Sequence, residues 1–461
     1  MTDIFEDLNK KKFGWFHARS ILTTGMGVFT DGYDLSSVGL VLAIILTSYG
    51  ITKSSPGYIM FTSLIAGSAL IGAAVGALVF GELAKRGRKK FYGVDVLILG
   101  VFAFLQIFAV NIYLLIIIRL ILGIGVGADY VLSPVIMGEH SNEKDRGKTL
   151  AFGFGLMWGF GATVAAITYL IFSPIVAPSE LWRIVLAVGA IPALGVVYLR
   201  RKMPETPRFI ARIVGDKKKF EDEIKYVAHR EVRIEGDIQD KHNFKYYFKK
   251  YKRQYISAMV LWFLFDQVAY SGILFGPTLI AKGLGMTPDG FTFLMELGFT
   301  IPGGLFLLSL IDKKGRKKLQ IGGFTVMGSL LLLFSLFDRA GIMTPIIGLL
   351  LYGIGMNFAS QAGPGSITAS GMYGVELSPT KIRSQIQSYT VASGRVGASL
   401  AAFVFPTLFI ALGTEFAFYY LSSLAIVAAA ITFLFIPETL GSLENSSNEK
   451  NEMKDLKVLN D

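Results

Sequence analysis

Residues 25–39 read Gly25-Met26-Gly27-Val28-Phe29-Thr30-Asp31-Gly32-Tyr33-Asp34-Leu35-Ser36-Ser37-Val38-Gly39 and place two carboxylates inside an apolar segment about as long as a bilayer is thick. An aspartate at bilayer depth costs about 2.5–3.5 kcal/mol on insertion scales, so such a residue is expected to face a polar interior and take part in moving something. Asp31 and Asp34 are three apart and fall on one helix face. What that face looks at decides the function.

The surrounding composition fits a membrane protein. Of 461 residues, 52% are hydrophobic and only 17% charged, with a mean hydropathy of +0.53; a soluble domain carries about 25% charge. The absence of cysteine excludes disulfides, thiolate metal sites and cysteine nucleophiles. Residues 1–12 are polar and mixed in charge, without the apolar core and cleavage site of a secretory signal, so the first apolar segment is expected to be retained.

Twelve apolar runs reach the length of about 20 residues that a spanning helix needs, near 17–48, 57–84, 91–109, 112–138, 147–173, 180–200, 254–281, 290–311, 318–337, 343–371, 383–413 and 415–437. An even number puts both termini on one side. The basic clusters at 10–12, 85–90, 144–148, 200–253, 313–318 and 381–383 share that side, which the positive-inside rule makes cytoplasmic. The net charge of +11 is therefore information about topology, and no nucleic-acid partner is expected. The expected setting is the plasma membrane, multi-pass, with lipid around a monomer. The polar tail 441–461 reads as disordered.

The chain repeats itself. Arg86-Gly87-Arg88-Lys89-Lys90 recurs as Lys314-Gly315-Arg316-Lys317-Lys318, Glu139 with Arg146 recurs as Glu376 with Arg383, and Pro204-Glu205-Thr206 recurs as Pro437-Glu438-Thr439. Offsets of 228, 237 and 233 residues differ by no more than loop lengths, which predicts two pseudo-symmetric six-helix bundles. Their bounds are 1–200 and 254–440, joined by a cytoplasmic linker at 201–253. The linker carries the aromatic-basic run Phe244-Lys245-Tyr246-Tyr247-Phe248-Lys249-Lys250-Tyr251 and is expected to lie as short helices at the lipid interface. The fold class is all-α integral membrane.

These features resemble the major facilitator superfamily over nearly the whole chain. Its basic loop is visible in Gly81-Glu82-Leu83-Ala84-Lys85-Arg86-Gly87-Arg88-Lys89, with Lys85 where the family usually has aspartate; the second copy keeps Asp312 ahead of Arg316. Leu115, Arg119 and Gly123 match its fourth-span arginine motif. The resemblance implies alternating access, with Arg88, Glu139, Arg146, Asp312, Arg316, Glu376 and Arg383 in the gate. Within the superfamily, Thr30-Asp31-Gly32-Tyr33-Asp34, Gly127-Ala128-Asp129-Tyr130, and Trp262 with Asp266 and Tyr270 are similar to phosphate:proton symporters. That likeness implies proton coupling through Asp31, Asp34, Asp129, Asp266 and Arg119, and substrate contact through Tyr130, Trp158, Trp262, Tyr270 and Arg395; Gln361, which shares a face of the tenth span with Asn357, is expected to hydrogen-bond a polar ligand. The sequence departs at Trp158, where those symporters have glutamine, and at Arg395, where they have lysine. It is equally close to symporters of organic acids at Asp-Gly-Tyr-Asp.

The residues support this independently. Asp31, Asp266 and Arg395 each lie about 18–21 Å along their helices, at the midplane. A guanidinium suits bidentate contact with a carboxylate or phosphate, although Arg395 could equally be a structural ion pair. Trp262, Asp266 and Tyr270 share a face by four-residue steps, as do Asn357 and Gln361. Asp95 reads as a helix-start acid and Glu296 as either a second protonatable group or a local pair. The glycine string at 123–127 is a close-packing surface rather than a nucleotide loop, and no Gly-Lys-Ser/Thr motif or zinc-like histidine spacing occurs, so no cofactor or metal is expected. The expected function is proton-coupled symport of a small anion, phosphate or an organic acid. The alternatives are a proton-coupled sugar porter, through Asp266-Gln267, and a non-transporting nutrient sensor. No nucleophile with a base points to an enzyme.

Overall fold

A computed structural model describes residues 4–228, 233–452 and 457–459. Among the described residues, eleven continuous helical segments are long and apolar enough to span a membrane. They run Trp15–Ser48, Tyr58–Arg86, Arg88–Phe108, Ile112–His140, Arg146–Phe172, Pro178–Arg201, Phe244–Gly283, Pro288–Lys314, Arg316–Arg339, Pro345–Glu376 and Arg383–Phe435. The last is 53 residues long and breaks at Gly413, whose φ of 82° and ψ of 174° no α-helix contains. Only glycine takes that backbone cheaply. It divides the segment into an eleventh span, 383–412, and a twelfth, 414–435, so the architecture is the expected twelve helices. Large apolar side chains such as Ile117, Ile191 and Phe433 point outward and are more than half exposed, as a lipid-facing belt requires.

Close packing rather than hydrophobic segregation holds the helices together, because lipid is as apolar as the core. At Gly123 and Gly127 on the fourth span, a methyl group would lie 1.9 Å from the Ala69 and Ala73 carbonyl oxygens of the second. The glycine string is thus a contact surface. Between the halves, the first span meets the seventh and the second meets the eleventh.

The face that carries both ends of the chain has more structure than its polar sequence promised. The linker does not lie alone at an interface: Ile210, Phe220, Ile224 and Ile238 form a small core with Ile4, Phe5 and Leu8 of the N-terminal segment. The aromatic-basic run is the start of the seventh helix, which turns at Tyr251 (φ −115°, ψ 19°). Nor are the described residues of the tail disordered. Leu443–Ser446 and Glu449–Glu452 are helical turns, and Leu443 is buried against Val135 of the first half and Val375 of the second. Two tail carboxylates are buried on arginines of the linker, and those ion pairs order a segment that composition alone marks as unfolded. Arg233–Glu235 and Lys457–Leu459 pair as short antiparallel strands.

Candidate functional site

A cavity with about 430 Å³ of empty space lies between the halves at mid-membrane depth. The fourth and fifth spans contribute Tyr130 and Trp158; the seventh contributes Trp262, Asp266 and Tyr270; the tenth and eleventh contribute Gln361 and Arg395. All six residues named from sequence as substrate contacts therefore share one wall system with Asp266. Gln267 is not among the lining residues, and its side-chain oxygen accepts the Tyr420 hydroxyl.

Arg395 organises this cavity. Its Nη1 donates to the Tyr270 hydroxyl and lies 3.4 Å from Asp266 Oδ2, while Asp266 Oδ1 accepts from Trp262 Nε1 at 3.1 Å. The guanidinium sits 4.1 Å above the Tyr130 ring, which itself packs on Trp262 at 6.2 Å. Asp266 occupies one edge of the guanidinium, whereas the buried Nε and Nη2 have no hydrogen-bond partner. A planar donor fork with its charge half compensated and two of its nitrogens unmatched is suited to an oxyanion.

The first-half carboxylates separate into three environments rather than one face. Asp34 accepts from Arg119 Nη2 at 3.3 Å and from Gln106 Nε2 at 3.3 Å, and Arg119 also bonds Gln106 Oε1 (2.9 Å) and the Ile65 carbonyl (3.1 Å). Asp34 and Arg119 thus form a network inside the first half, away from the central cavity. Asp31, one turn earlier, is buried with neither oxygen hydrogen-bonded. Asp129 meets Arg200 at 2.6 Å, and the same Nη1 reaches Asp95 at 2.7 Å. Arg200 further donates to the Thr23 and Thr24 carbonyls, at 3.1 and 2.8 Å. Arg200 was invisible in sequence because it is the first of the basic residues that flank the sixth span; three-dimensional pairing turns it inward. Gly27 makes the approach possible, since a methyl group there would lie 2.0 Å from Asp129 Oδ2.

On the terminus-bearing face the repeated motifs interlock. Glu139 accepts from Arg88 (2.9 and 3.1 Å) of its own half and Arg383 (2.9 Å) of the other. Glu376 accepts from Arg316 (3.0 and 3.2 Å) of its own half and Arg146 (2.8 Å) of the other. Thr206 and Thr439 of the Pro-Glu-Thr repeats donate to Glu139 and Glu376 respectively. Asp312 adds an asymmetric contact, accepting from the backbone N–H of Gly147 (3.0 Å) and Lys148 (2.8 Å) at the start of the fifth helix, where the dipole favours an anion. Its first-half counterpart Lys85 is half-exposed and pairs locally with Glu82. This face is closed. On the opposite side a cleft of about 770 Å³ remains between the first two spans and the seventh and eleventh, lined by Lys53, Tyr58, Thr278 and Ile410 among others.

Residues 20–448 match the family described as Sugar (and other) transporter. The chain is 30% identical to a probable inorganic phosphate transporter 1-6 of Arabidopsis thaliana, over 97% of this chain and 96% of that one. It is 33% identical to inorganic phosphate transporter 1-11 of Oryza sativa subsp. japonica, over 97% and 90%. The fold superposes on the proton:xylose symporter XylE bound to 6-bromo-6-deoxy-D-glucose with a TM-score of 0.77, at 20% identity over 93% of this chain and 98% of that one. With an inward-open conformation of XylE from E. coli the TM-score is 0.68, at 20% identity over 94% and 99%. Closure of one face, two six-helix halves and the matched residues converge: the chain belongs to the Sugar (and other) transporter family of the major facilitator superfamily.

Proposed function

We propose that this carrier moves a small anion together with protons by alternating access, with inorganic phosphate as its first candidate substrate. One observation supports the anion reading above all: Arg395 holds two unpartnered buried donor nitrogens on the wall of a cavity between the halves. Tyr270 and Asp266 fix one edge of the guanidinium, and Tyr130, Trp158, Trp262 and Gln361 shape the remainder. The inorganic phosphate transporters among its relatives add phosphate as the chemistry to test first. Asp31, Asp129 and Asp266 serve proton coupling in this reading, and the Asp34–Arg119 pair links the first half to it. Glu139, Glu376 and their arginines close the cytoplasmic face, which the basic clusters assign to the terminus-bearing side of the plasma membrane. Each chain holds a complete site and works as a monomer. It is a carrier and not a catalyst, needing neither cofactor nor nucleic acid.

Counterflow in proteoliposomes with labelled phosphate, a dicarboxylate and a hexose separates the readings. Exchange of phosphate that collapses in Arg395→Gln supports the proposal. Hexose exchange alone favours a sugar porter, and no exchange at all favours the sensor.

A further inference from the structure

A second polar cavity, with about 280 Å³ of empty space, lies beside the first and contains the eighth-span acid Glu296. Glu296 is 4% exposed and sits about 12 Å in from Pro288, the start of its helix on the side opposite the termini. No arginine or lysine among the described residues pairs with it. With its amide assigned from the groups around it, Gln361 donates to both Glu296 oxygens (2.9 and 3.2 Å) and accepts from Asn357 Nδ2 (3.1 Å). Ser36 of the first span, Gly272 and Pro277 of the seventh and Thr292 of the eighth complete the surroundings, and Tyr352 is the other titratable group on the wall. On the remaining side, the fifth span packs Gly159 against Thr300 and Ile301, and its Tyr169 faces Asp289 near the start of the eighth.

Two further features set this place apart. Gln361 and Ile273 line both cavities, so the amide that holds Glu296 is also a wall of the Arg395 site. The three helices that meet here are all π-helical at the point of contact, over Gly276–Ile280, Glu296–Thr300 and Gly353–Gln361. A π turn widens the helix and frees backbone groups, and such turns concentrate at functional sites.

We infer that Glu296 is a proton-binding site of the second half, coupled to the central cavity through Gln361. A carboxyl in an apolar bundle with neutral donors and no cation is cheapest when it holds a proton. The Gln361 N–H that supports the ionised form is also within the central site's wall. An anion that draws this donor toward Arg395 removes support from the carboxylate, so Glu296 keeps its proton while the anion is bound. Reversal follows when the anion leaves: the donor returns and the proton goes to water on that side. Proton and anion are thereby held and released together, and the carboxylate left on Glu296 is supported by the returned Gln361 donor until it takes up the next proton.

This inference rests on the anion-carrier reading for its coupling, but proton binding by Glu296 is testable without it. Infrared pH-difference spectra of the reconstituted protein should contain a protonated-carboxyl C=O band that is absent in Glu296→Gln. Phosphate-driven proton uptake, read with an entrapped pH dye, should fall by one proton per phosphate in Glu296→Gln and recover in Glu296→Asp. Identical carboxyl bands in wild type and Glu296→Gln would overturn the inference, as would an unchanged proton-to-phosphate ratio. Wild-type protein that exchanges no phosphate would instead refute the proposed substrate, and the infrared band would still decide Glu296.

Discussion

Arg146 of the first half donates to Glu376 of the second at 2.8 Å, and the pair is buried on both sides. Its mirror image, Arg383 on Glu139, is formed at 2.9 Å in the opposite sense. Each glutamate thus joins an arginine of its own half to one of the other, and the two pairs that cross between the halves require the terminus-bearing face to be shut. Buried ion pairs of this kind contribute little net stability against apolar replacements, but removal of one partner is costly. Under the proposed alternating access, their use is to make one of two conformations specific.

Replacing Glu376 with Gln leaves the buried Arg146 without its counter-charge, while Arg316 keeps Asp312 at 3.0 Å. The penalty of breaking a buried pair is about 3–5 kcal/mol, and for the Arg146 contact between the halves it falls on the closed state alone. At about 1.4 kcal/mol per decade, even the lower figure shifts the closed-to-open ratio by roughly a hundredfold. Spin labels at Lys90→Cys and Lys318→Cys read this directly, since the chain has no native cysteine. Glu376→Gln should populate longer distances than wild type; superimposable distributions would show that the gate is held elsewhere.

Asp31 and Asp34 should respond differently to the same substitution. Asp34→Asn removes the charge partner of the buried Arg119, at a cost of up to about 3–5 kcal/mol. Asp31→Asn breaks no hydrogen bond and should cost about 1 kcal/mol or less. Thermal unfolding in detergent should therefore fall clearly for Asp34→Asn and barely for Asp31→Asn, while Asp31→Asn abolishes uptake driven by a pH gradient. Equal destabilisation of the two variants would make Asp31 a structural residue.

How much of this was legible follows from what each signal depends on. Apolar runs, basic clusters and the repeated Arg-Lys, Glu–Arg and Pro-Glu-Thr motifs are local, and they sufficed for twelve spans in two halves. The six residues of the central cavity were legible through family-like spacing or, for Gln361, through its helix face. Partners were not, because a helix face does not announce what packs on it. Asp31 and Asp34 share a face by count, yet a turn's displacement gives one Arg119 and the other nothing. Arg200 looked like a membrane-flanking cation until Asp95 and Asp129 drew it inward. The tail looked disordered because its order comes from buried charges on Arg208 and Arg212, far away in sequence.

Gly27 offers a test of the Asp129–Arg200 contact that leaves every charge in place. A methyl group at this position would lie 2.0 Å from Asp129 Oδ2 and 2.2 Å from Arg200 Nη2, which are themselves pinned by Asp95 and two threonine carbonyls. Overpacking at such a site costs about 1–3 kcal/mol. Gly195→Ala on the sixth span is the control, because nothing lies within 4 Å of its added methyl and alanine favours the helix by about 1 kcal/mol. Gly27→Ala should unfold at lower temperature than wild type and Gly195→Ala at the same or a higher one. A neutral Gly27→Ala would mean that the first and fourth spans have room to separate.

The tail should act as a latch on the closed face. Glu449 pairs with Arg212 of the linker at 2.6 Å and accepts from the Thr380 N–H and hydroxyl of the second half at 3.0 and 2.9 Å. Glu444 meets Arg208 at 2.6 Å and Asn9 at 2.9 Å, and Leu443 wedges between Val135 and Val375. Burial alone would raise the Glu444 carboxyl, but the Arg208 charge and the bonds from Arg208 and Asn9 hold it down at about 2, against an ordinary value of 4.5. A depressed carboxylate contributes stability that is complete above its unfolded value and lost as pH falls toward the folded one. The latch should therefore be insensitive to pH between about 6 and 8 and weaken only below about 4.5. Truncation after Gly441 should lengthen the Lys90→Cys to Lys318→Cys distances at neutral pH, and Glu449→Gln should do so to a smaller degree. Truncated and full-length proteins with the same distance distribution would show that the gate glutamates close this face unaided.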